Sequence, residues 1–161
     1  VVGIINDQQV QGNGTFTVGL QNAVSGSLGV QTTSTVTILD DDSSLQFTVS
    51  ATNVFENATN VVLTVVRTGV IDTTVTLPFS TANGTAIDGL HYRGTNGTLS
   101  FPQGEVTRVF QVAVSNDFVI NGDRTLTLTL TSPTGASPGD SVTRSHWKSP
   151  AVLRPSARLP A

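Results

Sequence analysis

Apolar and polar residues alternate along most of this chain with a period of two. Thr125-Leu126-Thr127-Leu128-Thr129-Leu130 is the cleanest case, and Thr35-Val36-Thr37-Ile38 repeats the pattern. Successive side chains of a strand point to opposite faces, so such runs predict strands with one buried face. Strands are expected near 33–39, 45–50, 54–55, 61–67, 74–80, 97–101, 106–115 and 124–131. Turn signals separate them: Asn57-Ala58-Thr59-Asn60, Asn83-Gly84, Asn96-Gly97, Pro102-Gln103-Gly104 and Asn121-Gly122-Asp123. Asn-Gly pairs supply the positive φ of tight turns. No 3.6-residue apolar stripe of useful length interrupts the pattern, so the class is all-β.

The pattern also recurs at long range. Residues 2–20 align without gaps on residues 112–130 at an offset of 110. The identities are Val2/Val112, Asn6/Asn116, Asp7/Asp117, Gly12/Gly122, Thr15/Thr125, Thr17/Thr127 and Leu20/Leu130. Both copies read as strand, acidic loop, strand. The period suits an immunoglobulin-like antiparallel β-sandwich of about 100 residues. Residues 1–43 therefore read as the C-terminal strands of one repeat, and 44–140 as a second repeat lacking its own closing strand. The chain is expected to be a fragment of a tandem array. Residues 141–161 carry half of the eight basic residues, the only Trp and no acid, without alternation. This tail is expected to be non-homologous and disordered.

Composition sharpens the picture. Thr (25) and Val (22) dominate, which is strand chemistry. Residues 1–140 hold all eleven acids against Arg67, Arg93, Arg108 and Arg124, so this body carries −7. A nucleic-acid partner needs a basic footprint and is excluded. No apolar run is long enough for a membrane span, so direct membrane insertion is not expected. With no cysteine, there is no disulfide framework, thiolate metal site or cysteine nucleophile. A cation is the partner this balance favours.

The acid is concentrated where Thr35–Ile38 runs into Asp40-Asp41-Asp42, just before the next alternating run at Leu45 and Phe47. Adjacent carboxylates repel one another unless a cation or solvent relieves them. Hard oxygen ligands at a strand end suit Ca2+. The competing account is a solvated acidic linker between two units.

The ordered stretches of the second unit resemble the Calx-beta domain family. They are Phe47-Thr48-Val49, Val54-Phe55-Glu56-Asn57, Val61 to Gly69, Phe79 to Ala86, Asp88-Gly89-Leu90-His91-Tyr92 and Gly97 to Glu105, with Thr35 to Asp42 resembling the closing motif. The family is known from sodium/calcium exchangers, an integrin subunit and large extracellular or surface proteins. The resemblance implies Ca2+ ligands gathered at one end of the sandwich. Carried over, these fall on Glu56, on Asn83 in place of the aspartate of an Asp-Gly-Thr-Ala motif, on Asn116 and Asp117, and on Asp123, with a backbone carbonyl from Val119. Asp40, Asp41 and Asp42 match the closing triplet of the preceding repeat, together with Asp7. Asn83, Asn116 and Asn121 lack the charge of strong binders, and Arg124 stands at a position acidic in them, so the second site reads as degraded.

The function expected is a non-catalytic calcium-binding repeat of an extracellular or cell-surface protein, Ca2+ stiffening the junction between neighbouring repeats. The alternatives are a structural or adhesive spacer and a carbohydrate-binding accessory domain. The last needs an exposed aromatic row, hard to build from one Tyr and one Trp. Neither His91 nor His146 sits in a zinc-spacing motif. A Glu56/Asp117 hydrolase pair has too few polar partners. Four Asn-x-Thr sequons, at Asn13, Asn57, Asn83 and Asn96, need mean no more than turn chemistry. A strand-swapped homo-oligomer is also expected, strand 33–39 of one chain closing the sandwich of another.

Overall fold

In the structure, a computed structural model, residues 1–7, 9–119, 122–138 and 142–143 are described. Among the described residues ten strands follow in chain order: β1 (Gly14–Gly19), β2 (Thr33–Ile38), β3 (Ser43–Phe47), β4 (Asn60–Gly69), β5 (Val75–Asn83), β6 (Asn96–Phe101), β7 (Thr107–Ala113), β8 (Leu126–Leu130), β9 (Ser137–Pro138) and β10 (Val142–Thr143). Two sheets, ordered β7-β4-β3-β9 and β10-β8-β5-β6, form a β-sandwich, and β1 pairs with β2 in a separate ribbon. All pairings are antiparallel except β3 with β9.

Alternation does the building. Val61, Leu63 and Val65 of β4, Val75, Leu77 and Phe79 of β5, and Leu126, Leu128 and Leu130 of β8 are all buried in one core. Phe110 of β7 joins the two layers, its ring 4.2 Å from that of Phe79 and 6.3 Å from that of Phe47. The same phase places Arg67, two residues beyond Val65, inside the sandwich, with 3% of its surface exposed. Burying so many apolar side chains, each worth about 1.5–3 kcal/mol, is what holds residues 43–138 together.

The ribbon lacks this second layer. At the repeat offset, Val18 corresponds to Leu128, yet Val18 is 43% exposed where Leu128 is fully buried. Val2 to Ile5, aligned with part of β7, form no strand. In the second unit β7 is held by seven register pairs with β4, and the described residues supply no such partner for 2–5.

Three other expectations change. Residues 54–55 make no strand: the Ala58 amide donates to the Phe55 carbonyl in a turn, which leaves Val54 packed inward and Phe55 exposed. The closing strand of the second unit is not wholly missing, because Val142–Thr143 pairs with β8. Moving the β1–β2 register by 110 would set Leu128 opposite residue 144, and its observed partner is Thr143, one residue away. Strand 33–38 is spent on β1 of its own chain, and β10 occupies the β8 edge, so nothing in this pairing calls for a swapped dimer. Asn121, Asp140 and residues 144–161, including His146, lie outside the described residues.

Candidate metal centre

The nine expected ligands fall into two places. Ser43 pairs with Gly69 at one end of β4 and Asn60 pairs with Ala113 at the other. Asp40–Asp42 precede the first pair; Asp117 follows the second, and Glu56 lies just before it in the chain. Ten strand residues separate the two ends by about 30 Å.

The first cluster forms because Gly14 faces Ile38 across the ribbon, which sets the 11–13 loop against residues 39–41. The Asp40 carboxylate accepts from the amides of Gln11 (2.8 Å), Gly12 (2.6 Å) and Asp42 (3.2 Å), while the Asn13 side-chain oxygen accepts from the Asp40 amide at 3.0 Å. Donation from Gly12, then Gln11, then Asp42 holds the Asp40 pKa below the usual carboxylate value. Asp7 accepts from the Gln9 amide and the Gln11 side-chain amide. Asp42 behaves oppositely: loss of water first, then the charges of Asp41, Asp40 and Asp7, push its pKa up. All four carboxylates line one open pocket of about 810 Å³, with Ile4, Ile5, Ile38 and Leu39 as its apolar wall.

At the far end, the Glu56 carboxylate accepts from the Asp117 amide at 2.8 Å. Asn116 and Asp117 each bind an amide two residues on, those of Phe118 and Val119, and Phe118 takes a positive φ of 58° between them. The Asn83 side-chain oxygen accepts from the Tyr92 hydroxyl (2.7 Å) and the Asp88 amide (2.9 Å). Burial first, then the charge of Asp88, raises the Tyr92 pKa. Arg124 donates to the Thr85 carbonyl at 3.1 Å, and its Nε is buried without a partner among the described residues. Asp123 is exposed.

Sequence reasoning missed His91 here. Its Nδ1 accepts from the Ile87 amide at 2.9 Å, which leaves the proton of the neutral ring on Nε2, 3.8 Å from Asp117 Oδ2. The Asp-Gly-Leu-His-Tyr stretch marked the place, but a lone histidine without metal spacing carries no signal of a long-range carboxylate partner. Tyr92 as the donor that fixes Asn83 was equally invisible.

Among the described residues no three carboxylate or imidazole groups converge tightly enough to hold a metal ion. The donor chemistry of the two ends nevertheless differs. Asp7, Asp40, Asp41 and Asp42 are an all-oxygen anionic set lining one pocket, which fits a hard divalent cation. The far end offers a neutral Asn83 already committed to two donors, with an arginine nearby, and fits one less well.

A β-sandwich preceded by a two-stranded ribbon of matching sequence, with acidic loops at the strand ends, defines a class of repeat modules. Within it, the model of the Calx-beta domain matches residues 1–42 and again 40–146, and the chain belongs to the Calx-beta domain family. Over 94 residues, 58% of this chain, it is 33% identical to the sodium/calcium exchanger Calx of Drosophila melanogaster, and the match spans only 10% of that protein. The apo-form Calx CBD1 domain superposes with a TM-score of 0.63 at 28% identity, over 66% of this chain and 96% of that domain. The calcium binding domain CBD12 of CALX1.1 gives 0.62 at 28% identity, over 65% of this chain and 45% of that one. The Calx CBD2 domain, at 16% identity and a TM-score of 0.62, shares the fold.

Among these relatives, CBD12 of CALX1.1 is a calcium binding domain. They also correct one expectation. The extracellular or cell-surface setting is withdrawn, because the matched domains of Calx are cytoplasmic.

Proposed function

We propose that this chain is a non-catalytic calcium-binding module whose working site is the Asp7/Asp40/Asp41/Asp42 cluster at the junction of two repeats. One observation carries the reading. Four carboxylates from two loops line a single pocket. Asp40 is already oriented by three backbone amides, so Ca2+ needs only to draw Asp7, Asp41 and Asp42 toward it. The ion supplies the positive charge that the cluster lacks, and the cost of gathering the carboxylates falls. Because Asp42 leads directly into β3, closure of the site stiffens the connection between the ribbon and the sandwich. The parent is an ion-transporting membrane protein in which such modules neighbour one another, a role consistent with the exchanger match. At the far end, Asn83 and Arg124 favour a second, structural role for the site built on Glu56, Asn116, Asp117 and Asp123.

Isothermal titration with Ca2+ tests the assignment. One dominant site is expected, abolished by the combined Asp40→Asn, Asp41→Asn, Asp42→Asn variant and retained by Glu56→Gln. Equal binding by the triple variant and the wild type overturns it.

A further inference from the structure

The inward phase of β4 ends on a cation rather than an apolar residue, and that cation is not paired with an acid. The Arg67 guanidinium makes no ion pair among the described residues. Its Nη1 donates to the Thr73 carbonyl at 2.7 Å and its Nη2 to the Val70 carbonyl at 2.9 Å and the Thr73 hydroxyl at 3.3 Å. Its Nε donates to the Ser43 hydroxyl at 3.3 Å, and Ser43 is itself buried. A buried charge satisfied only by neutral oxygens is an expensive way to fill space, so its retention points to geometry rather than stability. A planar fork of five donors reaches two backbone carbonyls and two hydroxyls at once, and an ammonium cannot reproduce that arrangement.

What the fork holds is the turn from Val70 to Thr73, and that turn holds the junction. The Val70 amide donates to the Asp42 carbonyl at 2.8 Å. Gly69, with φ +85°, comes so close that a Cβ would sit 2.4 Å from the same carbonyl. Arg67 thus holds the Ser43 hydroxyl directly and the Asp42 carbonyl through the turn it binds, and Asp42 donates its amide to Asp40. We propose that Arg67 is the positioning residue of the acidic junction: by shaping the 70–73 turn around Ser43 it fixes the backbone of Asp42, and so aims the Asp40–Asp42 carboxylates at their pocket. The inference rests on the calcium reading above for its ligand, but not for its geometry.

Two readouts separate the two ideas. Arg67→Lys keeps the charge and loses the fork. Hydrogen exchange at the Val70 amide should accelerate by about tenfold or more, as in local opening, while the Val65 and Leu128 amides in the core stay protected. Ca2+ affinity, measured by titration of the same protein, should fall several-fold. If Arg67→Lys does not fold, Ser43→Ala, which removes one partner and leaves the arginine, should show the same ordering of effects in milder form. Unchanged Val70 exchange in the folded variant overturns the proposal. So does acceleration that is equal at Val70 and in the core. If wild-type protein binds no Ca2+ while Val70 still opens selectively, the calcium reading fails and the positioning role stands. If Val70 opens selectively while Ca2+ affinity holds, the role of Arg67 in aiming the carboxylates is refuted.

Discussion

The backbone amide of Asp117 donates to the side chain of Glu56 across a sequence separation of 61 residues. This bond ties together the acidic end of the sandwich beyond Asn60 and Ala113. It sets that end apart from the junction, where the carboxylates of Asp41 and Asp42 face one another's charge.

The first prediction follows from that contrast. Ca2+ should raise the melting temperature, and at a hundredfold excess over Kd the stabilisation is about 2.7 kcal/mol. Differential scanning calorimetry in Ca2+ against chelator measures it. Identical curves in both conditions refute a functional site at Asp40–Asp42.

Asp40 and Asp42 should respond to pH with opposite sign in the absence of Ca2+. The folded pKa of Asp40 is lowered, so its contribution is present above the ordinary carboxylate value near 3.8 and is lost as pH falls through the lowered one. The folded pKa of Asp42 is raised, so its contribution is present below 3.8 and is lost as pH rises through the raised one. At pH 7 Asp42→Asn should therefore raise the melting temperature of the ion-free protein and Asp40→Asn should lower it. Shifts of the same sign in both variants contradict this assignment.

Positions equivalent in sequence should differ in energetic weight. Leu128→Ala removes a fully buried side chain and should cost about 2–5 kcal/mol. Val18→Ala, at the matching position of the ribbon, should stay within about 0.5 kcal/mol. Urea titrations of the two variants decide the point, and equal losses would mean that the ribbon face is covered in solution.

Restoring charge should awaken the far end. In Asn83→Asp the new carboxylate keeps an acceptor for the Tyr92 hydroxyl and the Asp88 amide, so the fold should survive. Combined with Arg124→Glu it should add a second Ca2+ in titration calorimetry. Unaltered stoichiometry in a folded double variant would show that charge is not what that end lacks.

Much of this architecture was legible in the alternation of Thr with Val and Leu, because a period of two is the geometry of a strand. The strands from Leu45 to Leu130 were located within a few residues, and the repeat marked Asn6-Asp7 and Asn116-Asp117 as equivalent loops. What the alternation could not say was whether a strand has partners. Val2 to Ile5 carry strand composition and form none, since a strand is a property of a sheet rather than of a segment. Glu56 with Asp117 came from family resemblance and was found bonded. The carboxylates of the two repeats lie at opposite ends of β4, a separation that no alternation pattern could show. His91 and Arg67 were missed for one reason: their partners are set by loops whose path no periodicity encodes.

Between Ile38 at the end of β2 and Ser43 at the start of β3 the connector is Leu39 to Asp42, and the last of these is already clamped by Val70. Asp40 is tied down as well, by the amides of Gln11, Gly12 and Asp42 on its carboxylate and by Asn13 on its own amide. As a mechanical joint this is close to a hinge pin, with almost no slack for stretching and a narrow set of permitted angles. On the calcium reading proposed above, the charge of Asp40 and Asp41 lies inside this joint, so ion concentration would set its bending stiffness and leave the sandwich beyond it unaltered.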